Sequence, residues 1–244
     1  MTELFPPDET STSYILGEIA NALVKKYRVG VICGPEIYDK RKKLDEKARF
    51  HLDESIVVKR VQVYDFDKNT VIGKTLSFIF MSHCLMSLVH KYVHKGDKVL
   101  MVTNPAPLVL LMSRLKKSVD FELNILVHDV FPENTVPAGL RLPMYGFIKQ
   151  MFDKAYAKAD QLIVLGRDMQ EILMKKVERG SKSKGNSPRI TIIENWADIE
   201  NIKPQAMPDG KIILEYAGNI GRIQGLDNII NRDCREMPNN YATN

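Results

Sequence analysis

The chain has 244 residues, 44% of them hydrophobic and 27% charged, with a formal net charge of +5. That is the make-up of a globular domain with a core of ordinary size, and it excludes a disordered tail or a fibrous repeat. Lys and Arg are scattered among acids without interleaved aromatics, so nucleic acid ranks last among partners.

Three cysteines, Cys33, Cys84 and Cys234, form no CxxC or His-spaced pair, which argues against zinc and against a disulfide framework and fits a reducing cytosol. The N-terminus carries no basic-then-apolar signal pattern. The longest uncharged apolar-rich run lies between Lys74 and Lys91, short of the roughly 20 residues of a membrane-spanning helix.

Residues 1–5 read as the end of a strand, and the proline- and hydroxyl-rich run 5–13 as a loop full of helix N-cap residues. Tyr14, Ile15, Ile19, Ala22 and Leu23 predict a helix over 14–27, and residues 29–33 a short strand stopped by Gly34-Pro35. Residues 36–55, with Lys40-Arg41-Lys42-Lys43, read as a charged surface excursion. A strand is predicted over 56–64, a long helix over 71–93, a strand over 98–102 and a helix over 106–115 with Pro107 in its first turn. Then follow a strand over 121–127, a helix over 143–158, a strand over 161–165, a helix over 167–177, a surface turn over 180–187 and a strand over 190–193.

Short apolar strands alternating with helices read as βαβ units around a parallel sheet, whose ligands sit at the carboxyl ends of the strands. Those ends hold residues that packing explains least: Asp8 and Glu9, Asn104, His128 and Asp129, Glu133, and Asn195. His128 beside Asp129 and Glu133 reads as functional or as a packed polar residue closing a strand; Asp129 and Asp8 read equally as loop caps. His83, His90 and His94 read as ordinary helix residues, without the carboxylate partner a metal site needs.

Near the C-terminal end, the apolar run 212–217 breaks at Gly218 and Gly221, and Leu226, Ile229 and Ile230 resume with helical spacing. A strand turning through glycines into a helix suits a phosphate or diphosphate, with Arg222 adding a cation.

Phe5-Pro6-Pro7-Asp8, His128-Asp129 with Pro132-Glu133, Asn195-Trp196 with Pro204, and Tyr216-Ala217-Gly218-Asn219-Ile220-Gly221 stand in an order and spacing that resemble the GT-B glycosyltransferases of family 4 (group 1). The resemblance covers about residues 1–230 and is greatest to enzymes that build O-antigen, capsule or lipopolysaccharide repeat units. It implies an α/β architecture: a Rossmann-like parallel sheet with helices on both faces, followed by the start of a second Rossmann-like domain. The expected division is an acceptor-side domain over 1–203, a linker over 204–210, the first strand-loop-helix of a truncated donor-binding domain over 211–230, and a non-matching tail over 231–244.

By match to the family motifs, His128 and Asp129 would be catalytic, and Gly218, Asn219, Gly221 and Arg222 would hold the donor diphosphate. Asp8, Glu9, Asn104, Glu133 and Asn195 would line the acceptor-side cleft. The resemblance implies a retaining, hexosyltransferase-type enzyme that uses a nucleotide sugar as substrate and needs neither a cofactor nor a metal. It implies a lipid-linked saccharide acceptor and a cytoplasmic protein in peripheral contact with the anionic inner face of the cell membrane. Because the paired glutamates of the family's donor domain would follow residue 230, this chain alone is expected to be inactive. A non-catalytic acceptor-binding fragment or gene remnant is the competing reading, and a GT-B-type sugar epimerase the third.

Overall fold

The computed structural model describes residues 1–36, 50–62, 71–140, 142–181, 187–196, 216, 218 and 224–227. Two compact units divide the chain: residues 1–132 with 143–195, and residues 133–142 with 196–244.

The first unit is α/β. Its elements are α1 (Ser11–Val24), β1 (Gly30–Cys33), β2 (Val57–Arg60), α2 (Val71–Tyr92), β3 (Lys98–Val102), α3 (Pro107–Leu115), β4 (Glu122–Val127), α4 (Tyr145–Tyr156), β5 (Gln161–Val164), α5 (Arg167–Gly180) and β6 (Arg189–Ile192). β1 pairs with β2, and β3, β4, β5 and β6 lie side by side in that order, every pair parallel. Residues 1–4 link the two groups. Thr2 N donates to Ile32 O at 3.1 Å on the β1 side, while Val102 N donates to Met1 O at 3.2 Å on the β3 side. The expected strand end is therefore the centre of the sheet.

Alternation along the strands decides which side chain serves which face. Val99 and Met101 of β3, Leu123, Ile125 and Val127 of β4, and Leu162 and Val164 of β5 join one core cluster with α2, α3, α4 and α5. Leu100, Val102, Leu126 and Ile163 face the other way, towards Leu16 and Ala20 of α1 and Phe5. A sheet apolar on both faces must be covered on both, which is why its strands read as continuous Val/Ile/Leu runs.

α1 begins at Ser11 rather than at 14, because Thr10 is its N-cap: Ser13 N donates to Thr10 Oγ1 at 3.3 Å, and the hydroxyl run enters the first turn. β2 stops at Arg60, short of the predicted 64; Val61 N still donates to Cys33 O at 2.9 Å, and residues 63–64 lie outside the described residues. Val57 and Lys59 are exposed, as befits an edge strand.

α4 and α5 pack closely around a buried ion pair. Lys176 Nζ lies 2.8 Å from Asp153 Oδ1, and Arg179 Nε donates to Asp153 Oδ2 at 2.8 Å. Lys176 is fully buried, and its ammonium lies 5.5 Å from the centre of the Tyr156 ring. Gly180 ends α5 against α4; a Cβ there would stand 2.1 Å from Asp153 O, so only glycine permits the approach.

In the second unit, Glu133–Thr135 forms a single 3-10 turn, continued by Val136 N donating to Glu133 O at 3.2 Å and Leu140 N to Thr135 O at 3.0 Å. The expected strand over 211–217, the linker over 204–210 and the tail over 231–244 lie outside the described residues, apart from Tyr216. So do the basic run 40–43 and most of the turn 180–187.

Candidate active site

In open parallel sheets the ligand crevice opens where the strand order reverses, outside the carboxyl ends of the strands. Here the chain runs outward from residues 1–4 through β1 to β2, then crosses back to β3 and continues to β6. The reversal lies between residues 1–4 and β3.

At that point stands Glu3, which is 3% exposed. Asn104 Nδ2, two residues past the carboxyl end of β3, donates to Glu3 Oε2 at 2.9 Å. The neighbouring backbone is closely fitted: Gly34 N donates to Glu3 O at 3.1 Å, and a Cβ on Gly34 would come 2.3 Å from that oxygen. Thr2 Oγ1 donates to Leu4 O at 2.9 Å and fixes the local turn. On the far side of residues 1–4, Arg60 donates to the carbonyls of Gly34 and Pro6, with Glu36 Oε1 4.0 Å from its Nε.

β3 and β4 are tied at their carboxyl ends by one hydroxyl. Thr103 is 3% exposed, and its Oγ1 accepts from His128 N and from Asp129 N, both at 3.2 Å. Two backbone donors that leave the ladder are thus satisfied, and the His128 backbone is fixed relative to Asn104 and Glu3. His128 is half-buried, and its Nε2 is buried without a hydrogen-bond partner among the described residues. Burial holds the imidazole below its ordinary pKa, and the nearby Asp129 carboxylate only partly opposes that. The imidazole therefore favours its neutral form and keeps one nitrogen without a partner among the described residues. Asp129 is exposed.

The other candidates separate. Asp8 Oδ1 accepts from Thr10 N at 3.1 Å, so this acid shapes the turn into α1, the loop role weighed for it from the sequence. Glu9 is exposed in the same turn. Asn195 is exposed after β6, at the same end of the sheet. Glu133 belongs to the second unit, where it opens the 3-10 turn. Gly218 is an exposed bend in that unit, and Asn219, Gly221 and Arg222 lie outside the described residues. The described residues contain no cluster of three metal-ligating side chains and no helix long and apolar enough to cross a membrane. Thr103 stands in the strand-end run 103–105 that the sequence already marks as rim; Glu3 is the member that sequence reading did not single out. The only signal available for Glu3 was an acid at the end of an otherwise apolar strand.

Comparison with known proteins bears on the chain as a whole. The chain is 34% identical over 178 residues to a probable glycosyltransferase, WbjE, of Pseudomonas aeruginosa; the match takes in 67% of this chain and 42% of that protein. It is homologous to a glycosyltransferase. The match agrees with the glycosyltransferase part of the resemblance read from its motifs, and the chain spans less than half the length of the curated relative it matches. No family model matches the sequence. Among solved structures, the chain is similar to UGT2 of Phytolacca americana, complexed with UDP-2-fluoro-glucose and pterostilbene, at a TM-score of 0.41 and 12% identity, over 80% of this chain and 54% of that one.

Proposed function

We propose that this chain is the acceptor-side part, residues 1–203, of a glycosyltransferase that moves a hexose-type residue from a nucleotide sugar to a lipid-linked saccharide in cell-surface polysaccharide assembly. The observation that carries the reading is the 34% identity to a probable glycosyltransferase over 178 residues. The rim supports it: a half-buried His128 with an unpartnered Nε2 stands where the fold opens its crevice. The motif order favours the O-antigen setting.

In the proposed transfer, the bond from the anomeric carbon to the nucleoside diphosphate breaks with its electron pair on the leaving phosphate. A bond forms from that carbon to an acceptor hydroxyl, which gives up its proton to the oxygen of the leaving diphosphate. His128 contacts the reacting sugar. Arg222 and the backbone around Gly218, Asn219 and Gly221 neutralise the leaving diphosphate in place of a metal. Asp8, Glu9, Asn104, Glu133 and Asn195 remain the acceptor-side proposal; among them, Asn104 is anchored at the crevice through Glu3.

The test is transfer from radiolabelled UDP-, GDP- and dTDP-sugars to lipid-extracted acceptor, with calorimetry of the same donors. In a full-length version of the enzyme, turnover is expected to drop about 10²-fold or more in His128→Ala, the size of loss seen when one electrostatic contact to the reacting group is removed. Turnover unchanged by that substitution removes His128 from the chemistry. Absence of both donor binding and transfer leaves an acceptor-binding domain instead.

A further inference from the structure

The carboxyl ends of the strands carry the candidate active site; the opposite edge of the sheet carries something else. There α3 and α4 end, and the chain re-enters the sheet through Phe121 and Gln161. Between them opens a cleft of about 630 Å³, lined among others by Lys116, Lys117, Lys158, Asp160, Ser187 and Arg189. That volume falls in the range of small-molecule sites, roughly 300–1,000 Å³.

The charge of the cleft is one-sided. Asp160 is the acid that lines it, and its carboxylate is already engaged: Oδ2 accepts from Lys116 Nζ at 2.5 Å and from Leu123 N at 2.6 Å. Lys116 Nζ also donates to Phe121 O at 2.9 Å, which fixes that lysine in the wall. Arg189 donates to Gln161 Oε1 at 2.9 Å, a neutral acceptor, and has no acidic partner among the described residues. Among the described residues neither Lys117 nor Lys158 has an acidic partner.

Lysines after a helix are ordinarily explained by the negative end of the helix dipole, worth about 0.3–1 kcal/mol. That effect favours the charged ammonium. At Lys158 the balance runs the other way: burial first, then the charges of Lys117, Arg114 and Lys154, hold its ammonium below the ordinary lysine range. Helix capping alone gives no reason to gather like charges in a concave, partly desolvated place. An anion with more than one charge would relieve the repulsion. Arg189 offers a planar fork suited to phosphate oxygens, and the two lysines offer point charges.

We propose that this cleft binds a phosphate-bearing anion between Lys117, Lys158 and Arg189, on the edge of the sheet opposite the candidate active site. None of these three residues belongs to the proposed donor diphosphate set of Gly218, Asn219, Gly221 and Arg222, so substitutions in the cleft distinguish the two.

Thermal unfolding and calorimetry with pyrophosphate at constant ionic strength, with chloride as control, test it. Vesicles of phosphatidylcholine, with and without phosphatidylglycerol, form a second arm. The expected result is a saturable rise in Tm with pyrophosphate. Affinity should fall about tenfold or more in Lys117→Gln/Lys158→Gln and in Arg189→Ala, since charge-assisted hydrogen bonds contribute about 1.5–3 kcal/mol each. The double variant should keep or raise its own Tm, because a like-charge repulsion is removed. Co-sedimentation with the anionic vesicles alone, lost in the double variant, would support the site with a lipid headgroup as the source of the phosphate. Lys91→Gln/Lys175→Gln removes as much charge from other helices and should bind like the parent. Equal loss in that control, binding unchanged in the double variant, or no response in either arm overturns the proposal.

Discussion

The carboxylate of Glu3 and the side-chain amide of Asn104 meet at 2.9 Å across 101 positions of sequence, at the reversal of the strand order. Neither end of this contact is explained by packing, since a buried acid loses hydration that an apolar residue would not. The contact fixes Asn104 at the mouth of the crevice, one residue beyond the Thr103 hydroxyl that holds the His128 backbone.

Replacing Asn104 with Ala leaves the 3%-exposed Glu3 carboxylate with one donor fewer. The expected cost is about 1.5–3 kcal/mol, the net worth of a hydrogen bond to a charged group. Urea unfolding of Asn104→Ala, Glu3→Gln and the double variant checks it through a double-mutant cycle. A coupling near zero would mean that the bond contributes nothing to folding.

Thr103 makes a sharper case, because one oxygen serves two backbone donors. Thr103→Val keeps the shape and removes the acceptor, so both N–H groups lose their partner. A loss of about 1–3 kcal/mol is expected for each donor that water cannot reach, and Thr103→Ser should recover most of it. If Val and Ser are equally stable, the hydroxyl does not hold the His128 turn.

Much of this architecture was legible in the sequence. The apolar run over 98–102 coincides with β3, and the stripe over 71–93 with α2, because a two-faced sheet and a long helix leave strong periodic signals. The rim followed from the rule that strand ends carry the ligand crevice, which placed Asn104 and His128 together. Glu3 was not legible. A single acid near the start of the chain has no period, and its burial depends on a partner a hundred residues away. Lys176 is a partial case: its position three residues after Leu173 puts it on the buried stripe of α5 and leaves Lys175 off it, but a charge there argues for solvent until its partner is known. Only the packing of α4 on α5 supplies that partner.

His128 gives a pH dependence with a definite sign. Its folded pKa lies below the ordinary imidazole value of about 6.5, mainly through burial. As pH falls through about 6.5, the unfolded chain takes up a proton before the folded one does, so stability declines from there down to the folded pKa. Above about 6.5 both states are neutral and the group contributes no slope. His128→Gln should flatten that acidic limb in a series of urea titrations between pH 7 and pH 5. An identical limb in the variant would assign the slope to other groups.

The ion pair between α4 and α5 sets the last expectation. Burial alone would raise the Asp153 carboxyl, but hydrogen bonds and charge from Arg179 and Lys176 overcome it and hold the group below its ordinary value. A depressed carboxylate stabilises the fold above the ordinary range and loses that contribution as pH falls through its folded value. Removing one partner of a buried pair typically costs about 3–5 kcal/mol, whereas replacing the pair by apolar groups of similar volume is often neutral. Lys176→Met should therefore be strongly destabilising, towards the lower end because Arg179 still reaches Asp153. Lys176→Met/Asp153→Leu should recover part of the loss, with Arg179, itself half-exposed, turning to solvent. Chemical denaturation of the three proteins at neutral pH measures this directly. A double variant no more stable than Lys176→Met would show that the pair is needed for the close approach at Gly180 and is not a replaceable polar contact.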